Sequence, residues 1–434
     1  MLDQKEKVRG EPDTVVPTDP ASDTARSRRG NLILAVASAL VFVALLEGGA
    51  RCFYWLSWGR LYPVGARVYA IPLGWRLAPG EYSKLRVNGQ GFRRTSETTM
   101  TPAAGSTRVF IVGGSTAFGN NGLYPQVPAA PLGEDTTIDR HLETLLNERH
   151  PGRRFEVINA GVPEYRLFQE FSLFREKLLG YGPELVIFLD GHNDFSFLTG
   201  ELPSSSPIAP YWSNRLFVRA ERVLNASDAL APAYFLDLYL GRHSYAYHAI
   251  GSLLQRVADW GAFDAGGAGR ATWWGTRPFV VDEEAALRAK HAEQLGQIRK
   301  RLHLYADQVR DLRAVAESRL LPVLYALQPE IVAERGSDLS AQELEIQRIA
   351  FAQHRDLGTL AWRTLGPELA AEFTSLASER FGFLDLQRIS SRDPDTLYTD
   401  YCHLTSKGNA VVAAALADGV EALLTPSPSP TADP

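Results

Sequence analysis

Residues 108–119 read Arg-Val-Phe-Ile-Val-Gly-Gly-Ser-Thr-Ala-Phe-Gly, an apolar, β-rich run that stops at two glycines before a serine. A short continuous apolar run closed by glycine is how a strand buried on both faces reads, and such strands belong to parallel sheets. The same signature returns at Phe155–Ile158 (FEVI), Glu184–Leu189 (ELVIFL), Leu321–Ala326 (LPVLYA) and Phe383–Leu386 (FLDL). Helical spacing fills the intervals. Ile138–Arg149 sets Ile138, Leu142, Leu145 and Leu146 on one face, and further helices are predicted over Glu164–Leu179, about Ser340–Glu379, and from near Thr405 to Leu424. Strands alternating with helices predict an α/β fold, a three-layer sandwich around a mostly parallel, flavodoxin-like five-stranded sheet. A helical, aromatic insertion from about Thr199 to Arg319 interrupts the alternation. In sheets of this type, ligands sit beyond the carboxyl ends of the strands, so chemistry is to be sought there.

Upstream, residues 1–30 are rich in Pro, Asp, Thr and Ser without hydrophobic period, and read as a disordered cytoplasmic tail. Arg26, Arg28 and Arg29 precede an apolar run from Leu32 to Leu46, and Phe53, Tyr54, Trp55 and Trp58 follow it. Residues 31–54 are just long enough to span a bilayer as a tilted helix. The arginines would hold the N-terminus in the cytoplasm, and the aromatic residues suit the far interface. The remaining chain would then lie outside the membrane, in the periplasm or beyond. Two other readings compete: Gly48-Gly49-Ala50 as a signal-peptide cleavage site, or a buried helix of a soluble protein. Residues 55–106 read as a connector, 107–424 as the main domain, and 425–434 as a loose Pro-Ser tail.

The 434 residues carry 45 basic and 50 acidic side chains, a net charge of -5, which gives no reason to expect nucleic acid as a partner. The two cysteines, Cys52 and Cys402, make neither a disulfide framework nor a zinc site. No metal or cofactor is expected, and oligomeric state is not legible.

Four segments fall at or beyond strand ends. Ser115, after Gly113-Gly114, can present an exposed hydroxyl and a backbone N–H at a helix start; alone, the motif reads more readily as a phosphate-binding or structural turn. It lacks the lysine of a nucleotide loop, and G-x-G-x-x-G is absent. Gly161 in Asn159-Ala160-Gly161 reads by itself as a turn glycine, and Asn193 in Gly191-His192-Asn193-Asp194 as an oxyanion donor or a turn cap. Asp400 and His403, three apart before the last helix, suit a carboxylate orienting an imidazole or a helix cap. Together they supply what acyl transfer needs: a nucleophile, a base, an orienter for the base and oxyanion donors.

In this order GGSTAFG, NAGVPEY, GHND and DYCH-LTSKGN resemble the four sequence blocks of the SGNH/GDSL hydrolases, from about Val87 to Leu423. The upstream VNGQGFR (Val87–Arg93) is similar to a segment of membrane-anchored bacterial members. The resemblance implies Ser115 as nucleophile, His403 as base and Asp400 as its orienter. It implies an oxyanion hole from the Ser115 and Gly161 backbone N–H groups and the Asn193 amide. The chain departs from the family's Gly-Asp-Ser, with Gly113-Gly114-Ser115, and the insertion has no counterpart in the minimal fold. The expected activity is hydrolysis of O-acyl, chiefly acetyl, esters of carbohydrate outside the membrane. The same residues would serve an O-acyltransferase acting on envelope polysaccharide, and a non-catalytic carbohydrate-binding scaffold is the third reading.

Several neighbours receive lesser roles. Asp194 is expected to support its loop, Asp385 to fix another, and Cys402 to be a small core thiol. His192 is left between solvent-facing and substrate-facing positions. Trp260, Trp273 and Trp274 suit core packing, sugar stacking or membrane contact.

Overall fold

The computed structural model describes residues 20–58, 67–70, 74–82, 85–120, 132–199, 284–390 and 395–425, with scattered positions between 232 and 250. Most of the insertion, including Trp260, Trp273 and Trp274, and both chain ends lie outside the described residues. Two compact units divide the chain: Met1–Leu61 with Ser244–Leu253, and Tyr62–His243 with Leu254–Pro434.

The first unit is built on helix α1 (Pro20–Trp58), whose Gly30–Phe53 stretch is long and apolar enough to cross a membrane. Its 24 residues rise about 36 Å at 1.5 Å each, against a hydrocarbon thickness of about 30 Å.

In the second unit two small antiparallel hairpins come first, β1 (Arg67–Ala70) with β2 (Gly74–Leu77) and β3 (Gly80–Tyr82) with β4 (Leu85–Val87). They occupy the stretch read above as a plain connector. Each strand is only three or four residues long, too short for alternation to stand out in the sequence. After β4 the chain turns at Asn88, whose side-chain oxygen accepts from the N–H of Gln90 (3.1 Å) and Phe92 (3.0 Å). Arg93 then pairs by its backbone N–H with Asn159 O at 2.9 Å, tying the VNGQGFR stretch to the main sheet.

That sheet has five parallel strands: β5 (Ser106–Gly113), β6 (Arg154–Asn159), β7 (Leu185–Asp190), β8 (Val323–Leu327) and β9 (Phe381–Asp385). Their order, β6-β5-β7-β8-β9, is the doubly wound pattern in which the first strand sits inside the second. Register sets Val109 opposite Val157 and Leu185, Ile187 opposite Leu324, and Tyr325 opposite Phe383. Every residue of β5, β7 and β8 is buried, which is why these strands read as unbroken apolar runs. Strand β8 begins two residues later than the sequence suggests. Pro322 has no N–H to donate, and it joins only through its carbonyl, which accepts from Val186 N at 3.1 Å.

Helices of this unit among the described residues include α2 (Ser115–Phe118), α3 (Ile138–Arg149), α4 (Leu167–Glu176), α5 (His192–Thr199), α6 (Glu284–Lys290), α7 (Ala292–Arg319), α8 (Ala341–Thr374) and α9 (Ser406–Leu424). Helix α3 packs on α9 and β6, whereas α7 packs on α4, α5 and α8, giving the sheet its two outer layers. Start signals are local: Ser340 and Glu343 form a reciprocal capping box on α8, and Thr405 Oγ1 accepts from Gly408 N at 3.1 Å on α9. Helix α4 is shorter than its apolar period suggested. Glu164, at φ 66°, stands outside the right-handed region before it, and after Lys177 the chain tightens into a 3₁₀ turn ending at Gly182, φ 61°.

At Gly113 an added Cβ would lie 2.3 Å from Leu189 O and 2.6 Å from the Ala117 Cβ, neither of which can rotate away. Gly113→Ala is expected to cost about 1–3 kcal/mol through overpacking, read as a lower midpoint in urea denaturation at unchanged slope.

Candidate active site

Strand β5 delivers Ser115 as the first residue of the one-turn helix α2, closed by Phe118 N to Gly114 O and Gly119 N to Ser115 O, both 3.0 Å. Two glycines admit its neighbours. A Cβ on Gly114 would fall 2.5 Å from Asn193 Nδ2, and one on Gly161 would fall 2.6 Å from Phe118 N. Glycine at these positions lets the loops after β7 and β6 close on the serine turn.

The imidazole comes from the loop ahead of α9. His403 Nε2 lies 2.8 Å from Ser115 Oγ, and its Nδ1 lies 2.7 Å from Asp400 Oδ2. Asp400 Oδ1 accepts from the backbone N–H of His403 at 2.8 Å and of Cys402 at 3.0 Å. Burial works to raise the pKa of this carboxyl, but the His403 charge and these hydrogen bonds outweigh it and hold it at about 2. An ionised Asp400 fixes the proton on Nδ1, leaving the Nε2 lone pair toward the Ser115 hydroxyl. The loop itself is pinned to α2: Thr116 Oγ1 donates to Cys402 O (3.2 Å) and Gln328 Nε2 donates to Thr116 Oγ1 (3.0 Å).

Cys402 is the small buried thiol expected, its pKa pushed up by burial and by the Asp400 and Glu330 charges. Ligand atoms of Asp400, Cys402 and His403 lie within 4.8 Å of one another. The carboxylate and both ring nitrogens are already committed to one another and to Ser115, and a protonated thiol is a weak ligand. Asp400 and His403 therefore suit proton relay with Ser115 better than metal binding.

Around Ser115 Oγ, the Asn193 amide donates one hydrogen from Nδ2 to Tyr165 O at 2.7 Å and retains a second. The Ser115 N–H stands in the first turn of a helix, where no intrahelical acceptor exists. Gly161 is different from expectation. Its N–H donates to Asn159 Oδ1 at 3.0 Å, because Asn159 folds its side chain over the turn while its Nδ2 bonds Ala117 O and Asp139 Oδ1, both at 2.8 Å.

His192 is neither solvent-facing nor free to meet a substrate. Its Nδ1 lies 2.6 Å from Glu330 Oε2 and its Nε2 3.1 Å from Ser196 Oγ, and the ring stacks on Tyr401 at 4.6 Å and Trp362 at 6.2 Å. Burial, then the nearby His403 charge, depresses its pKa to about 3 against the pull of Asp400, so it stays neutral. Glu330 reaches this pair from the loop after β8, and the next residue, Ile331, donates its N–H to Tyr401 O at 2.9 Å. Nothing local in the sequence marks Glu330 or Gln328. Their only signal is position just past a predicted strand end. Arg93 was likewise missed as a support: its Nη1 donates to Phe118 O at 2.5 Å, at the far end of the serine turn.

Behind Asn193 lies a buried acidic cluster. Asp194 Oδ2 accepts from Leu167 N at 3.0 Å, which bears out its loop-supporting role; Asp385 accepts from Gln387 N (3.1 Å) and Nε2 (2.9 Å) in the same capacity. Asp190 accepts from the hydroxyls of Tyr305 (3.3 Å) and Tyr325 (3.4 Å). Glu170 is 0% exposed and neither carboxyl oxygen has a hydrogen-bond partner. Burial raises the Glu170, Asp190 and Asp194 carboxyls, Asp194 to about 6, and repulsion from neighbouring carboxylates raises Glu170 and Asp190 further.

No known protein family matches the chain, and no curated relative matches it. Solved structures do. An aryl esterase of M. smegmatis is similar over 74% of this chain and 100% of its own, at 14% identity and a TM-score of 0.32. A carbohydrate acetylesterase from Sinorhizobium meliloti covers 74% and 100%, at 11% identity and 0.33. An acetyl xylan esterase from Geobacillus stearothermophilus covers 76% and 100%, at 14% identity and 0.28. At such identities and scores the likeness says nothing about what this chain binds or turns over.

The acidic cluster predicts how stability follows pH. Groups with raised folded-state pKa stabilise when protonated, and that contribution is lost as pH rises: for Asp194 from the ordinary carboxylate range of about 4 up to about 6, and for Glu170 and Asp190 in the same direction, from that range upward. Thermal melts of Glu170→Gln should show a Tm above wild type at pH 8 and a smaller difference at pH 5. A variant less stable than wild type at pH 8 would count against an uncompensated carboxyl at this position.

Proposed function

We propose that the chain is a membrane-anchored serine esterase of the SGNH/GDSL type, acting outside the membrane on O-acyl, chiefly acetyl, esters of carbohydrate. The observation that carries the reading is the continuous line from Asp400 Oδ2 through His403 to Ser115 Oγ, with contacts of 2.7 and 2.8 Å. In this reading residues 107–424 form the catalytic domain and residues 31–54 the anchor.

His403 Nε2 takes the hydroxyl proton as Ser115 Oγ attacks the ester carbonyl carbon, and the ionised Asp400 stabilises the imidazolium that results. The tetrahedral oxyanion is met by the Ser115 N–H and the second hydrogen of the Asn193 amide. Gly161 joins them only as a shared donor, since Asn159 Oδ1 already accepts its N–H. Collapse expels the alcohol, which takes the proton back from His403 Nε2. Water, deprotonated by the same nitrogen, then attacks the acyl-serine and releases the carboxylic acid. A sugar hydroxyl in place of that water would make the enzyme an acyltransferase with no change in these roles.

Hydrolysis of 4-nitrophenyl acetate should be abolished in Ser115→Ala. Asp400→Asn, which removes the charge and permits the wrong tautomer, should lower kcat by about 10³–10⁴. Asn193→Ala should lower kcat by about 10²–10³ with KM little changed, the pattern of a donor used mainly in the transition state. Full activity in Ser115→Ala would sink the assignment. Product analysis with an added oligosaccharide acceptor separates hydrolysis from transfer.

A further inference from the structure

Within its apolar stretch, helix α1 carries one acidic residue, Glu47. A carboxylate at that depth is costly in hydrocarbon unless it finds partners. Glu47 finds four. Arg51 Nε, one turn further on, donates at 2.8 Å, Ser244 Oγ at 2.8 Å, and the backbone N–H groups of Tyr245 and Ala246 at 3.1 Å each. Tyr245–Tyr247 form a helical turn, and the N–H groups at a helix start lack intrahelical acceptors. Ser244 Oγ accepts from Tyr247 N at 3.0 Å, so Glu47 completes from another segment the cap that Ser244 begins. The Arg51 guanidinium lies 4.9 Å over the Tyr245 ring, and Tyr245 is buried. The partners are 197 to 199 residues apart in sequence, yet fall in one compact unit.

We propose that the Ser244–Ile250 stretch of the insertion is a second membrane-contacting element, locked to the anchor helix by the Glu47 carboxylate, with a phospholipid surface as its partner. Glu47 is six residues from Phe53, the end of the apolar stretch, or about 9 Å along the helix. With residues 48–53 interfacial, Glu47 and the segment docked on it lie at the boundary between hydrocarbon and headgroups. Residues 244–254 (SYAYHAIGSLL) hold no acidic residue, no Lys and no Arg, and their two tyrosines suit that interface. Ile250 is 47% exposed, an apolar side chain on a segment continuous with a lipid-facing helix. The contact also needs α1 to stay attached, since a cut after Ala50 would separate Glu47 from the rest of the chain. The proposal rests on reading α1 as a membrane span and is independent of the esterase chemistry.

Full-length protein in phosphatidylcholine–phosphatidylglycerol nanodiscs tests it by hydrogen exchange. The Tyr245 and Ala246 amides should be protected in wild type and exchange about five- to tenfold faster in Glu47→Ala, the loss of a cap. Amides of β5 and β7, and aryl acetate hydrolysis, should be unchanged. A nitroxide on Ile250→Cys in a Cys52→Ser background should meet dissolved oxygen in preference to a water-soluble nickel relaxant. Equal exchange in both proteins, or a nitroxide as nickel-accessible as a loop, overturns the proposal. An N-terminal epitope missing from the membrane fraction overturns the anchor reading and the contact with it.

Discussion

The Asp400 carboxylate, itself fully buried, accepts hydrogen bonds from the N–H groups of Cys402 and His403 and from the His403 ring. Its charge survives there because those donors and the imidazole offset the cost of burial. The direction of the His403 ring follows from that charge, and the basic nitrogen facing Ser115 follows from the ring. Had burial prevailed, a neutral carboxyl would no longer dictate the ring's tautomer.

Holding this line in place is a ring of polar contacts that never touch Ser115. Gln328 and Thr116 fasten the His403 loop to the serine turn, while Asn159 and Arg93 grip the carbonyls of Ala117 and Phe118. The His192–Glu330 pair joins the first turn of α5, where Asn193 sits, to the loop after β8, which in turn bonds the backbone of Tyr401. Side chains at or just past the ends of β5, β6, β7 and β8 are thereby held through short charge-assisted or buried hydrogen bonds. Rigidity of this kind is what lets an oxyanion donor act without reorganising. Its cost shows in Glu170, Asp190 and Asp194, three buried carboxyls whose pKa burial raises, with repulsion between carboxylates adding to the rise at Glu170 and Asp190.

A related pairing occurs at Glu47, whose carboxylate accepts from backbone N–H groups of a distant segment. At both places an acid that accepts backbone N–H groups ties a loop to it, fully buried at Asp400 and half-buried at Glu47.

Strand and helix periods, the glycines that end β5 and β7, and the α/β class were legible in the sequence, since each depends on residues a few positions apart. So were the chemical types: Ser115, Asn193, Asp400 and His403 read as a nucleophile, a donor, an orienter and a base from strand-end placement and family resemblance. Tertiary structure alone decided which atoms meet. Ser115 and His403 are 288 residues apart, His192 and Glu330 138, and no local pattern encodes either contact. It also decided that the Gly161 N–H is shared with Asn159, that His192 faces inward, and that the connector folds into hairpins. The physical reason is range: backbone preference acts over one or two turns, whereas a hydrogen bond between distant segments exists only once the sheet has brought its strand ends to one rim.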